Sequence, residues 1–133
     1  VKFIQAFANI GLIPDSGGTY WLPRLVGMAR AKALTMLGTP LPAAEAQEIG
    51  LIHQAVEEED FDEAVRTLVS KLAHMPTRGL GLTKKALHAA MTQDLQLQLN
   101  LELDLQFEAA ETDDYAEGVQ AFLEKRKPQF KGT

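Results

Sequence analysis

One acid stands apart in the stretch Ile10–Gly27, IGLIPDSGGTYWLPRLVG. Asp15 lies between Pro14 and Ser16, Gly17 and Gly18 follow, and the flanks are apolar or aromatic. A carboxylate in this setting has two readings. It can cap a helix that starts at Gly17 or Gly18 by accepting backbone N–H groups. Alternatively, apolar walls can desolvate it and raise its pKa, which improves it as a base. Ser16 beside it adds a hydroxyl, so a nucleophile has to be considered as well.

The string DSGG also surrounds the nucleophile of chymotrypsin-like serine proteases. Such a serine needs a histidine base and an orienting carboxylate within hydrogen-bond reach. Here His53, His74 and His88 all follow Ser16, in a mostly helical sequence, so order and fold both argue against that chemistry. A phosphate-binding loop is excluded because no Gly-Lys-Ser/Thr follows the glycines. No cluster of histidines and acids has metal-ligand spacing, and the absence of cysteine removes thiolate sites and disulfides. The acidic runs Glu57–Asp60 and Glu111–Asp114 read as a solvated turn and a helix N-terminus.

A formal charge of −5 gives no electrostatic case for nucleic acid, and basic residues gather only in the closing EKRKPQFKG. The apolar runs are far too short for a membrane span. These features fit a reducing, cytoplasmic compartment. The chain opens on Val1 in a strand-like VKFIQAF, as a piece cut from a longer protein would.

The elements that must position Asp15 follow from the pattern. Lys2–Phe7 reads as a short strand, and Gly11, Pro14, Gly17 and Gly18 mark a loop. A helix begins at Gly17 or Gly18, is interrupted near Pro23 and resumes in MARAKALTMLG, with Gly38 as C-terminal cap. Ala43–Ile49 is a short helix ended by Gly50, and Leu51–Val56 a brief strand. From Asp60 on nearly all is helical: Phe61, Val65, Leu68, Val69 and Leu72 form one stripe, with Asp60 as N-cap and Pro76 as the stop. LTKKALHAAM is the next helix, and Asp113–Lys125 the last, with Gly118 a weak point.

Leu95–Leu105 is ambiguous, because leucine at every odd position has the period of a strand. Leu, Gln and Glu favour helix, and no β-branched residue is present, so helix is preferred. Leu95, Leu99 and Leu103 would then form one stripe, and Leu97, Leu101 and Leu105 another. One stripe would pack inside and the other against a neighbouring subunit.

The longer pattern IGLIPDSGGTYWLPRLVGMARAKALTMLG, continued by LPAAEAQEIGLIHQAV and closed by DDYAEGVQAFLEKRKPQF, resembles the enoyl-CoA hydratase/isomerase (crotonase) family. Gly11, Pro14, Gly17, Gly18, Thr19, Gly27, Arg30, Gly38, Glu45, Gly50 and Leu51 are among the positions that carry it. The resemblance spans the chain and implies the C-terminal half of an α/β crotonase-like fold, a ββα superhelix. Residues 1–60 would end the spiral core, and residues 61–133 would form a helical trimerisation or lid region.

The resemblance implies an acyl-CoA substrate and no separate cofactor, since coenzyme A belongs to the substrate. Partners would be further copies, in a homotrimer or hexamer. Both N–H groups of the oxyanion hole, which stabilises the thioester enolate, and the hydratases' first catalytic glutamate would lie upstream of Val1. The second glutamate's position is occupied by Phe7, preceded by Ala6. Hydration wants two acids around one water, so Phe7 disfavours it. Asp15 matches the position where family isomerases keep their catalytic acid. One carboxylate can move a double bond by taking a proton from one carbon and returning it to another, so the activity implied is isomerisation of a double bond or ring epoxide in a CoA thioester, through an enolate.

Phe7, Ile13 and Tyr20 would wall the substrate pocket and desolvate Asp15, leaving Ser16 as the helix cap. Lys125 would reach CoA phosphate, with Phe122 and Phe107 near the adenine. Three other readings stay open: an enoyl-CoA hydratase; a 4-chlorobenzoyl-CoA dehalogenase-like enzyme, whose relatives carry tryptophan at Phe7; and a helical assembly module inactive as a fragment.

Overall fold

Extended pairing is scarce. Lys2–Phe3 (β1) pairs antiparallel with Leu41–Pro42 (β2), in the register Lys2 to Pro42 and Phe3 to Leu41. The chain is seen in a computed structural model that describes residues 1–133, and it divides into two units, Val1–Asp60 and Phe61–Thr133.

In the first unit the strand expected over Lys2–Phe7 stops at Phe3. Ala6–Ile10 winds instead into a 3₁₀-helix closed by Gly11 in the left-handed region, so Phe7 sits on a helical turn. Helices α1 (Gly18–Val26) and α2 (Met28–Leu37) follow. Pro23 does not interrupt α1. The break comes at Gly27, whose φ of 81° and ψ of 159° no helix continues. Gly38 ends α2 in the left-handed region, with its N–H on the Leu34 carbonyl at 3.2 Å.

Leu22 and Val26 of α1 and Ala31 of α2 form the buried core, against which Leu34, Ile49 and Leu51 pack. Each such aliphatic side chain contributes about 1.5–3 kcal/mol when fully buried. Helix α3 (Ala43–Glu48) presses the fully buried Ala46 inward. The strand expected at Leu51–Val56 does not form. Leu51 and Ile52 donate their N–H groups to Ala46 O, and Ala55 N–H donates to Gln47 Oε1 at 2.6 Å. With those donors taken, no ladder is left to make.

In the second unit α4 (Phe61–Ala73) buries none of its residues, and Phe61, Val65, Leu68, Val69 and Leu72 lie exposed along it. Asp60, expected as its N-cap, belongs to the 3₁₀ turn Glu58–Asp60 just before it. Pro76 stops α4's continuation but also stands as N-cap of α5 (Thr77–Ala90), which begins before Leu82 and runs through Gly79 and Gly81. Leu95–Ala110 is helix (α6), capped by Asp94, which accepts the Leu97 N–H at 2.9 Å. Of its leucines, Leu105 is buried and Leu101 half-buried, while Leu95, Leu99 and Leu103 are exposed. Gln98 Nε2 donates to Ala86 O and ties α6 to α5.

Helix α7 (Asp113–Leu123) is capped by Thr112, which accepts the Tyr115 N–H. Glu111–Asp114 is the helix N-terminus expected of it, but not all of its acids face water. Asp114 is only 3% exposed. Its carboxylate accepts Lys131 N–H at 2.6 Å and Gly132 N–H at 2.8 Å, and its own N–H donates to Thr133 O. Two backbone donors replace water around the charge, which is what makes its burial tolerable. The strap 129–133 is thereby pinned along α7, and the Phe130 ring rests over Gly118, where a Cβ would meet it at 3.5 Å.

Three residues further along the same helix, Glu117 accepts both Arg126 Nη1 (2.6 Å) and Nη2 (2.8 Å), and also Gln129 N–H (2.7 Å). The Arg126 hydrogen bonds first, then the Gln129 N–H, lower its pKa from the usual 4.5 to about 2.

Two outcomes are expected. Asp114→Ala leaves the Lys131 and Gly132 amides without acceptors and destabilises this unit by about 1–3 kcal/mol. Hydrogen exchange should accelerate at those two amides more than at the α5 and α6 amides; equal protection in wild type and variant would contradict the pinning. For Glu117, a pKa depressed on folding means stability fully present above the unfolded value near 4.5 and lost as pH falls toward about 2. The Tm difference between wild type and Glu117→Gln should therefore stay constant at neutral pH and vanish across that acid window. A difference unchanged at the acid end would refute the assignment.

Candidate active site

The turn carrying Asp15 is fixed at both ends by backbone hydrogen bonds. Leu12 N–H donates to Phe7 O at 3.0 Å, which seats the incoming segment on the 3₁₀-helix. Gly18 N–H then donates to Asp15 O at 2.7 Å, and Tyr20 and Trp21 N–H groups both reach Gly17 O. Ser16 (φ 50°) and Gly17 (φ 82°) are both left-handed, which reverses the chain within two residues. Glycine at 17 answers two demands, since a Cβ there would also sit 3.2 Å from Trp21 Cδ1.

Gly17 is the N-cap of α1 and no side chain caps it. The structure therefore corrects the expectation that Ser16 caps the helix, and Asp15 does not cap it either. A left-handed Ser16 supplies the turn instead of a capping oxygen. The Asp15 carboxylate is exposed and takes part in none of the ion pairs of the chain.

The expected apolar wall is not assembled around Asp15 by this chain. Ile13 is 78% exposed, and Phe7 is half-buried on the 3₁₀-helix. Tyr20 is engaged by α1 itself: the Arg24 guanidinium lies 3.6 Å from its ring centroid, and Trp21 meets it edge-on at 5.0 Å. Arg24 is held there by donating to Tyr20 O at 2.8 Å. One face of the Tyr20 ring is thus covered by a cation of its own helix. The unit's cavity, lined by Phe3, Gln5, Leu22, Leu34, Leu41, Leu51 and Ile52, includes neither Asp15 nor these three residues.

In the second unit Phe122 is 83% exposed and borders an apolar groove of about 440 Å³ with Tyr115, Val119, Leu123 and Phe130. Phe107 borders an adjoining hollow with Leu103, Gln106 and Ala110, which shares Ala109 and Tyr115 with the groove at Phe122. Lys125 lies just past the end of α7, in the left-handed region at φ 55°. Its N–H donates to Phe122 O at 3.2 Å, and Arg126 N–H donates to Ala121 O at 3.0 Å. Those paired bonds are the Schellman closure of a helix, at whose left-handed position glycine is usual.

Sequence reasoning missed the Asp114 and Glu117 contacts. Their spacing of three on one helix and the Pro128-broken basic tail were both visible. Together they signal a returning strap that needs acceptors on that face.

The sequence pattern of the enoyl-CoA hydratase/isomerase family matches residues 1–133. The 1,2-epoxyphenylacetyl-CoA isomerase of Escherichia coli (strain K12) is 50% identical over 131 residues, covering 98% of this chain and 50% of that protein. A protein of Rhodobacter capsulatus named "Probable enoyl-CoA hydratase" is 48% identical over 130 residues, covering 98% and 51%. The crystal structure of an enoyl-CoA hydratase/isomerase from Cupriavidus metallidurans CH34 superposes with a TM-score of 0.91 at 35% identity, over 98% of this chain and 49% of that one. The chain spans about half the length of the curated relatives it matches. A match along the whole chain, together with the superposition, gives it the crotonase fold, and the chain belongs to the enoyl-CoA hydratase/isomerase family.

Proposed function

We propose that this chain carries the acid–base residue of an acyl-CoA isomerase, and that the residue is Asp15. The observation behind the reading is the contrast between two positions. A carboxylate without ion-pair partners stands at Asp15 beside the left-handed pair Ser16 and Gly17, and the family resemblance puts Phe7 where a hydratase would carry its second glutamate. The similarity to the 1,2-epoxyphenylacetyl-CoA isomerase extends the reading to thioesters with a ring epoxide or a movable double bond.

In a double-bond shift Asp15 Oδ takes a proton from the carbon between the thioester carbonyl and the double bond, leaving the electron pair delocalised into the thioester as an enolate. The same oxygen then returns the proton to a different carbon. No atom is gained or lost, so one carboxylate suffices. The thioester oxyanion would be held by groups outside this chain, and the surfaces that desolvate Asp15 would come from there as well. Lys125 would pair with CoA phosphate and Phe122 would lie against the adenine. Phe107, set in the adjoining hollow, is the weaker contact. The subunits would assemble as a homotrimer or hexamer, with the exposed Leu95, Leu99 and Leu103 stripe among the surfaces covered.

Hydration is the second reading, favoured by the similarity to the R. capsulatus protein. The intact protein separates the two when 3-enoyl-CoA isomerisation and 2-enoyl-CoA hydration are assayed side by side. Isomerisation should dominate in wild type, and Asp15→Asn should lower it by about 10²–10⁴-fold, the range for a positioned acid–base group. Dominant hydration, or an Asp15→Asn variant that still isomerises, would sink the reading. For the assembly, Leu99→Glu with Leu103→Glu should shift sedimentation toward the monomer; an unchanged profile would remove that stripe from the interface.

A further inference from the structure

The turn that presents Asp15 is strained and has no side-chain cap. Ser16 carries a Cβ yet holds a φ of 50°, a conformation that disfavours every residue but glycine. Gly17 stands at the N-cap of α1, so no capping oxygen steadies the helix start. Asp15 itself enters none of the ion pairs of the chain, and the place of its carboxylate therefore follows the backbone that carries it.

Two side chains lie against that backbone. A Cβ on Gly18 would meet Pro14 Cβ at 3.2 Å, and a Cβ on Gly17 would meet Trp21 Cδ1 at 3.2 Å and Nε1 at 3.3 Å. Both separations are shorter than ordinary van der Waals contact, so each neighbour uses the room that a missing side chain leaves. Pro14 is part of the turn. Trp21 comes from the first turn of α1, rooted there by donating its N–H to Gly17 O at 2.9 Å.

The indole is itself restrained. Tyr20 meets it edge-on at 5.0 Å, and the Arg24 guanidinium lies 3.6 Å from the Tyr20 ring centroid while donating to Tyr20 O. Edge-to-face rings and a cation over an aromatic face both attract. Yet Trp21 is 48% exposed and stands outside the core of Leu22, Val26 and Ala31. A large ring outside the core, braced by its neighbours and laid on the turn of the acid, is placed to serve that turn.

We propose that Trp21 is a positioning residue for Asp15: its indole, lying against Gly17, holds the left-handed pair Ser16 and Gly17 and so fixes where the carboxylate stands. The inference rests on the reading of Asp15 as the acid–base group and adds the side chain that keeps it in place. Trp21 touches no substrate in this scheme.

The test is a double-mutant cycle on 3-enoyl-CoA isomerisation by the intact protein. Trp21→Ala should lower kcat by about 10–10²-fold, the cost of slightly misplacing a reacting group, with KM unmoved. Trp21→Leu, which keeps apolar bulk without a flat ring, should lower kcat as well, and Trp21→Phe should restore most of it. In an Asp15→Asn background Trp21→Ala should have no further effect, because the two residues act as one unit. An unchanged kcat in Trp21→Ala, or a loss that multiplies with that of Asp15→Asn, overturns the positioning role and leaves Asp15 in place. A raised KM with kcat kept also overturns it, by putting Trp21 at the substrate. If Trp21→Ala fails to fold, the other two variants decide, and equal kcat in Trp21→Leu and Trp21→Phe contradicts the proposal. Should Asp15→Asn still isomerise, the reading of Asp15 and this inference fall together.

Discussion

Burial is scarce in this chain, and that scarcity decides how the structure is held. The inward-facing side chains are few and mostly small, such as Ala31, Ala46 and Ala121, with Leu22, Val26, Leu41 and Leu105 as the larger members. Packing of that extent restrains helices against one another but cannot dictate where a single side chain outside the core sits. The ends of the elements carry that burden. At Gly17, Gly38 and Lys125 the backbone reverses through a left-handed residue, and its hydrogen bonds are closed locally. The two candidate site residues are found at such ends, Asp15 two residues before Gly17 and Lys125 at the end of α7.

Carboxylates show how environment divides one residue type into different roles. Asp114 is buried and bonded to two backbone donors, so its charge serves to order the strap. Glu117 is bonded to a guanidinium and a backbone donor, which stabilises its ionised form far below the ordinary carboxylate range. Such an acid cannot accept a proton near neutral pH and is unsuited to acid–base work. Asp94 spends one oxygen on a helix cap. Asp15 has none of these commitments, and its turn is closed by backbone bonds.

Much of this could be read in the sequence, for reasons that are local. Gly38 ends α2 because a left-handed cap is a property of one residue and the turn before it. The leucine-rich run is helical because side-chain chemistry, and not the period of two, matched the available backbone: past the first turn, which Asp94 caps, the donors of α6 are satisfied within the helix, whereas a strand would have needed a neighbour that the unit does not contain. The failures came where the outcome depended on distant partners. Leu51–Val56 looked like a strand until Ala46 O and Gln47 Oε1 took its donors. Asp114 read only as part of a helix N-terminus, and its role in holding a segment 17 residues away was not visible. Tyr20 looked like a pocket wall, but Arg24, one helical turn on, covers its ring. No periodicity records such pairings.

The same division bears on Asp15. Its position depends on Gly17, on the 3₁₀-helix and on the Trp21 indole packed over the turn, all within this stretch of sequence. Ile13 is exposed and the Tyr20 ring is met by Arg24, so the residues that fix the turn are not ones that enclose the carboxylate. The turn thus fixes where the carboxylate is, and the local sequence is enough to do so.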